Sequence, residues 1–168
     1  KSEDGDNELI LDVLDEIWQK PKGDVLVFLA GEREIRELSE IIKKHKKNFE
    51  VFPLFSRLSS SEQDKVFKPH AGRRVILSTN LAETSLTVPG VRYVIDLGLA
   101  RVSRYSHRSK VQKLPVEEIS QASADQRKGR CGRLEHGICF RLFSEENFTR
   151  RLKNTAPEIQ RTNLASVV

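Results

Sequence analysis

Cysteine is scarce in this chain of 168 residues: Cys131 and Cys139 are the two it has, with seven residues between them. No Cys-x-x-Cys pair and no histidine at metal spacing goes with them. Neither a disulfide scaffold nor a zinc site is therefore expected, and reduced thiols of a cytoplasmic protein are the expectation. No apolar run approaches the length of a membrane span, and the acidic opening residues do not lead us to expect a signal peptide. Two phosphate-chemistry motifs are also missing: there is no Gly-x-x-x-x-Gly-Lys-[Ser/Thr] loop and no strand-terminal Asp-Glu-x-His. The chain therefore brings no cradle for β- and γ-phosphates, and no metal ligand is assigned to it. It starts mid-stream at Lys1 and stops within the apolar run Leu164–Val168, so a piece of a longer protein is expected.

What is present fits one domain with a real hydrophobic core. The net charge of +5 is unevenly spread. Residues 1–50 hold nine Lys/Arg against thirteen Asp/Glu, whereas residues 100–133 hold nine against three. The positive field is local, as on a nucleotide or nucleic-acid surface.

Leu11, Leu14, Ile17 and Trp18 recur at helical spacing within Asn7–Gln19, and Pro21 and Gly23 end that helix. Its acidic Asp15-Glu16-Ile17-Trp18 stretch lies mid-helix and reads as a solvent face. Asp24–Leu29 is a continuous apolar run, the pattern of a strand buried on both faces. Ile35, Leu38, Ile41 and Ile42 stripe a helix over Glu32–Lys47. Further strands are predicted at Phe49–Leu54, Arg74–Ser78, Val91–Leu97 and Gly137–Phe143. Ser59-x-x-Glu62 caps a helix that runs to about Phe67, and Ser144 caps a last one. Alternation of strand and helix predicts an α/β fold: a mostly parallel sheet with helices on both faces.

Three stretches carry candidate chemistry. Ser78–Ser85 sets small polar side chains after a strand, where ligands of parallel sheets gather; it suits a phosphate backbone or is simply a polar loop with a helix cap. Residues of about 100–118 show period-two patterning on either side of Ser106–Ser109, which predicts an inserted β-hairpin with a basic tip. Tyr105 and His107 there are placed to stack on a base, or the hairpin shields a sheet edge. Gln126-Arg127-Lys128-Gly129-Arg130-Cys131-Gly132-Arg133 follows Ser123 at capping-box spacing, predicting a helix through the octet. At about 100° per residue, Gln126, Arg130 and Arg133 then lie within roughly 60° of one another. Arginine forks match phosphate oxygens; a solvated basic face is the alternative.

Several of these stretches in one order resemble the second RecA-like lobe of the DEAH-box group of superfamily 2 helicases, most of all the bacterial RNA helicases of the HrpA type. Val25–Ile35 resembles motif IV, Pro53–Gln63 an accessory motif, Ser78–Val88 motif V, and the octet motif VI. The leading glutamine and the hairpin between motifs V and VI fit the DEAH group. The resemblance implies that residues 1–155 form this lobe and that 156–168 begin a connection to a helical or winged-helix region.

The resemblance also implies roles by position. Gln126, Arg130 and Arg133 would reach across a cleft to the ATP phosphates, the two arginines as fingers. Phe67 would stack on the adenine and Thr87 would contact the ribose, while Pro89 stands where eukaryotic relatives carry a ribose-contacting acid. Gly31, Asn80 and Thr84 match positions that touch the RNA backbone, and Arg104, Tyr105, His107 and Arg108 of the hairpin would meet the RNA strand. The implied cofactor is ATP with Mg2+, bound mainly by a first RecA-like lobe. Single-stranded or duplex RNA and that first lobe are the implied partners of a monomeric piece. The function implied is half of an ATP-dependent 3′-to-5′ RNA helicase, inactive alone. A non-catalytic basic RNA-binding module and a degenerate lobe kept as a scaffold are the competing possibilities.

Overall fold

A computed structural model describes residues 3–69, 71–106, 108–131 and 136–155. Its centre is the strand that the apolar run predicts, β1 (Asp24–Phe28), every residue of which is buried. β1 lies between β3 (Arg73–Ser78) and β4 (Val91–Asp96), and β2 (Phe49–Leu54) and β9 (Ile138–Arg141) complete a five-stranded sheet of order β2-β3-β1-β4-β9. All four pairings are parallel, with Val27 facing Leu77 on one side and Ile95 on the other. Successive side chains of β1 point to opposite faces, so its two apolar sets need two covers. Val25 and Val27 pack with Ile10, Leu14 and Ile17 of α1 (Glu3–Trp18) and with Ile35, Leu38 and Ile42 of α2 (Glu32–His45). Leu26 and Phe28 pack on the other face with Val66, Val88 and Ala82 of α4 (Leu81–Thr84). The α/β sheet covered on both faces is thus the predicted one.

Two predicted caps are present. Ser59 accepts from the Glu62 amide at 3.3 Å and starts α3 (Ser60–Asp64), which runs into a 3-10 turn, Lys65–Phe67. Ser144 accepts from the Asn147 amide at 3.0 Å and starts α6 (Glu145–Arg150). The acidic stretch of α1 is a solvent face, as expected: Asp15 and Glu16 are exposed and pair with Lys46 and Lys20.

The helix of the basic octet differs from its prediction at both ends. α5 spans Gln121–Lys128, and its cap is Ser120, whose hydroxyl accepts from the Ser123 amide at 3.1 Å. It stops before Arg130. Gly129 closes it in right-handed backbone (φ −66°), and a Cβ there would meet nothing nearer than 3.4 Å. Gly129 thus marks the end of a helix and not a close approach within one. Arg130 lies beyond the helix that carries Gln126, so these two do not share a helical face, and Arg133 lies outside the described residues.

The inserted hairpin has two ladders. β5 (Leu99–Arg101) pairs antiparallel with β8 (Val116–Glu118), and β6 (Arg104–Ser106) with β7 (Val111–Lys113). Neither ladder joins the main sheet, whose edge strands are β2 and β9. Among the described residues no helix is long and apolar enough to cross a membrane.

Candidate functional site

Arg130 follows α5 in a turn whose amide donates to the Arg127 carbonyl at 3.1 Å. Its guanidinium donates to the Thr87 hydroxyl at 3.3 Å and has no carboxylate partner among the described residues. Thr87 is exposed, in the loop between α4 and β4. The structure therefore brings together two of the residues singled out from motifs forty residues apart in sequence. Phe67 ends the 3-10 turn and is 40% exposed, a high value for phenylalanine. Gln126 is exposed on the last turn of α5.

One buried ion pair fixes the frame of this surface. The Arg74 guanidinium lies 2.9 Å from the Asp24 carboxylate and also donates to the carbonyls of Val66 and Pro89. Val66 precedes Phe67, and Pro89 follows Thr87 by two residues. A single planar fork thus holds the segment presenting the ring and the loop presenting the hydroxyl. Both lie by the starting ends of β1 and β3, away from the carboxyl edge at which ligands of such sheets are expected.

The carboxyl edge is organised by Arg127, which is fully buried. It donates to Glu83 at 2.9 Å, to Asp96 at 2.8 Å and to the Leu99 carbonyl, and its plane lies 4.7 Å from the centre of the Phe28 ring. These partners belong to α4, the end of β4, the first hairpin strand and the end of β1. A buried charge persists only when its donors are matched in this way. Arg127 therefore joins the loop after β3 to the turn that carries Arg130.

The small polar residues of that loop divide by role. Ser78 is buried and donates to the Thr79 carbonyl, and the Thr79 hydroxyl accepts from the Leu81 amide. Asn80, Thr84 and Ser85 are exposed. Gly31 is covered: a Cβ there would meet Arg101 Nε at 2.8 Å, because Arg101 crosses it to reach Glu34 at 2.6 Å. Arg104 is held by a bidentate pair with Glu117, two bonds of 2.7 Å, which raises its pKa chiefly through that hydrogen bond. Tyr105 is half-buried and Arg108 exposed. His107 lies outside the described residues, as does the predicted connection at 156–168.

The helicase conserved C-terminal domain model matches residues 7–135. The chain is 59% identical over 162 residues to the ATP-dependent RNA helicase HrpA of Escherichia coli (strain K12), covering 96% of this chain and 12% of that protein. It is 57% identical over 169 residues to the HrpA homolog of Haemophilus influenzae, covering 99% of this chain and 13% of that one. A crystal structure of the E. coli DExH-box NTPase HrpB superposes with a TM-score of 0.85 at 35% identity, over 96% of this chain and 20% of that chain. This chain belongs to the helicase conserved C-terminal domain family. It is the RecA-like lobe of the HrpA, DEAH-box type, and spans about an eighth of the length of those curated relatives.

In this helicase lobe the motif resemblance misses two structural arginines. Arg127, in the octet that resembles motif VI, is fully buried and paired with two carboxylates, and its only sequence signal was its place off the predicted face. Arg151 also went unmarked. It donates to Asn147 and to the carbonyls of Gly98 and Ile119, the two feet of the hairpin, and stacks over Phe143. Gly98 is required there: its φ is +72°, and a Cβ would press to 2.7 Å on the Phe143 ring. The cysteines are chemically quiet. Burial pushes the Cys139 thiol up to about 12 and raises Cys131 as well, so neither is an activated nucleophile near neutral pH.

Proposed function

We propose that this chain is the nucleotide- and RNA-contacting second lobe of an ATP-dependent 3′-to-5′ RNA helicase. The observation that carries the proposal is Arg130: a partly exposed guanidinium with no carboxylate partner among the described residues, bonded to the hydroxyl of Thr87, whose loop Arg74 ties to the segment that presents Phe67. When bound between two lobes, ATP supplies the phosphoryl group transferred to water. Arg130, with Arg133, donates to its γ-phosphate oxygens as charge spreads over them, and Gln126 supports that contact. Thr87 meets the ribose and Phe67 covers the adenine. Among the described residues no group of three or more His, Cys, Asp or Glu could hold a metal ion. The first lobe of the same protein is the proposed source of metal ligands and of the water-orienting carboxylate.

At the carboxyl edge, Asn80 and Thr84 hold one RNA strand by its backbone, with no base readout. Gly31 joins them once Arg101 swings aside, and the hairpin residues Arg104, Tyr105, His107 and Arg108 guide the strand. The 168 residues alone are expected to give no ATP turnover above background in a coupled assay at saturating RNA. Substantial turnover by the purified chain would contradict the shared-site mechanism.

Phe67→Ala in the full-length protein is expected to raise the KM for ATP about tenfold, since stacking of a base on an aromatic ring is worth roughly 1–3 kcal/mol. The turnover number should change far less. Steady-state kinetics separates the two; an unchanged KM would remove Phe67 from the nucleotide site.

A further inference from the structure

A cavity of about 420 Å3 opens between the foot of the hairpin, the start of α5 and the segment after α6. Arg101 and Arg104 line it on the hairpin side, Ser123, Arg150 and Thr155 on the other, and Asn80 reaches it from the loop after β3. Its charges are mostly spoken for. Arg101 is paired with Glu34, Arg104 with Glu117, Arg127 with Glu83 and Asp96, and Arg151 with Glu118. The carboxylates that line the cavity are the partners in these pairs, so each is already neutralised. Arg150 differs. It is exposed on the last turn of α6 and has no carboxylate partner among the described residues.

From this we infer that the cavity is a phosphate subsite for the RNA strand, with Arg150 as its charged contact. The inference rests on the RNA-binding role proposed for Asn80 and Thr84. Neutral donors line the same cavity as Arg150: the Asn80 amide, and the hydroxyls of Ser123 and Thr155, which lie 3.2 Å apart, with Ser120 3.0 Å from Thr155. One cation with small polar donors is the set that binds a phosphodiester. Among the described residues no aromatic side chain lines the cavity to serve as a platform for a base, and the contact is to backbone. Arg150 lies outside all the helicase motifs and extends the path from the loop after β3 toward the segment that leaves the lobe.

The test uses the full-length protein and a single-stranded oligoribonucleotide, with affinity measured by fluorescence anisotropy over a series of KCl concentrations. Arg150→Gln is expected to make the slope of log affinity against log salt shallower by about 0.7, the value for one phosphate contact on a single strand. The change should be equal for oligouridine and oligoadenine, and Arg150→Lys should keep the original slope. Thr84→Ala serves as the reference for the RNA role itself. An unchanged slope in Arg150→Gln, with binding weakened in Thr84→Ala, overturns the subsite and leaves the RNA path standing. If neither variant weakens binding, the RNA path fails and the subsite with it. Arg150 is exposed, and a thermal melt of the variant within a degree or so of the parent shows that the binding change is not a folding change.

Discussion

Arg130→Ala in the full-length protein is expected to lower RNA-stimulated ATP turnover by about a thousandfold or more, with RNA affinity within about twofold of the parent. The magnitude follows from arginine fingers elsewhere, where supplying the guanidinium is worth about 10³–10⁵ in rate. The case for Arg130 is its idleness in the fold. Among the described residues its one side-chain bond runs 3.3 Å from the charged guanidinium to the neutral Thr87 hydroxyl at the surface, and no carboxylate claims the charge. Removing it should cost within about 0.5 kcal/mol of stability, as for other surface changes. Arg130→Lys keeps the charge and loses the planar fork, so it should recover little of the rate. Loss of RNA binding in parallel with turnover would move Arg130 from the nucleotide to the RNA side.

Three residues earlier the consequences reverse. Arg127→Ala leaves Asp96 and Glu83 buried with no counter-charge, and Asp96 already has one carboxylate oxygen with no hydrogen-bond partner. Breaking a buried pair from one side costs about 3–5 kcal/mol. For a domain of this size each kcal/mol moves the melting temperature by about 2–4 °C, so a fall on the order of 10 °C is expected by calorimetry or circular dichroism. The Asp96→Asn, Arg127→Ala pair should cost less than the sum of its parts, because it removes both charges at once. A melting temperature unchanged by Arg127→Ala would mean that the four elements meeting at this guanidinium are held without it.

Patterns that depend on neighbours in sequence were legible before any coordinates. The unbroken apolar run of Asp24–Leu29 can only be a strand covered on both faces, and the serines at 59 and 144 stand where helices begin. Period-two patterning found the hairpin. What the sequence hid was decided by groups far along the chain. Ser120 and Ser123 are both good caps by type. Ser120 is chosen because the next two amides, Gln121 and Ala122, donate to the carbonyls of Leu152 and Lys153, about thirty residues away. Likewise, apart from its place off the predicted helical face, nothing local to Arg127 tells it from Arg130. The difference lies in Glu83 and Asp96, which the fold brings beneath one and not the other. Extending the helix through Gly129 made three side chains share a face on paper, whereas the chain ends the helix and delivers Arg130 to Thr87 from a turn.

The central claim is that Arg130 stands ready for a triphosphate held by the neighbouring lobe. Its most direct measurement is a structure of the full-length protein with RNA and ADP–aluminium fluoride. The expected result is an Arg130 guanidinium nitrogen within about 2.7–3.1 Å of a fluoride that stands for a γ-phosphate oxygen, with Thr87 at the ribose. A closed complex in which Arg130 stays turned from the fluoride, its place taken by another residue, would contradict the account.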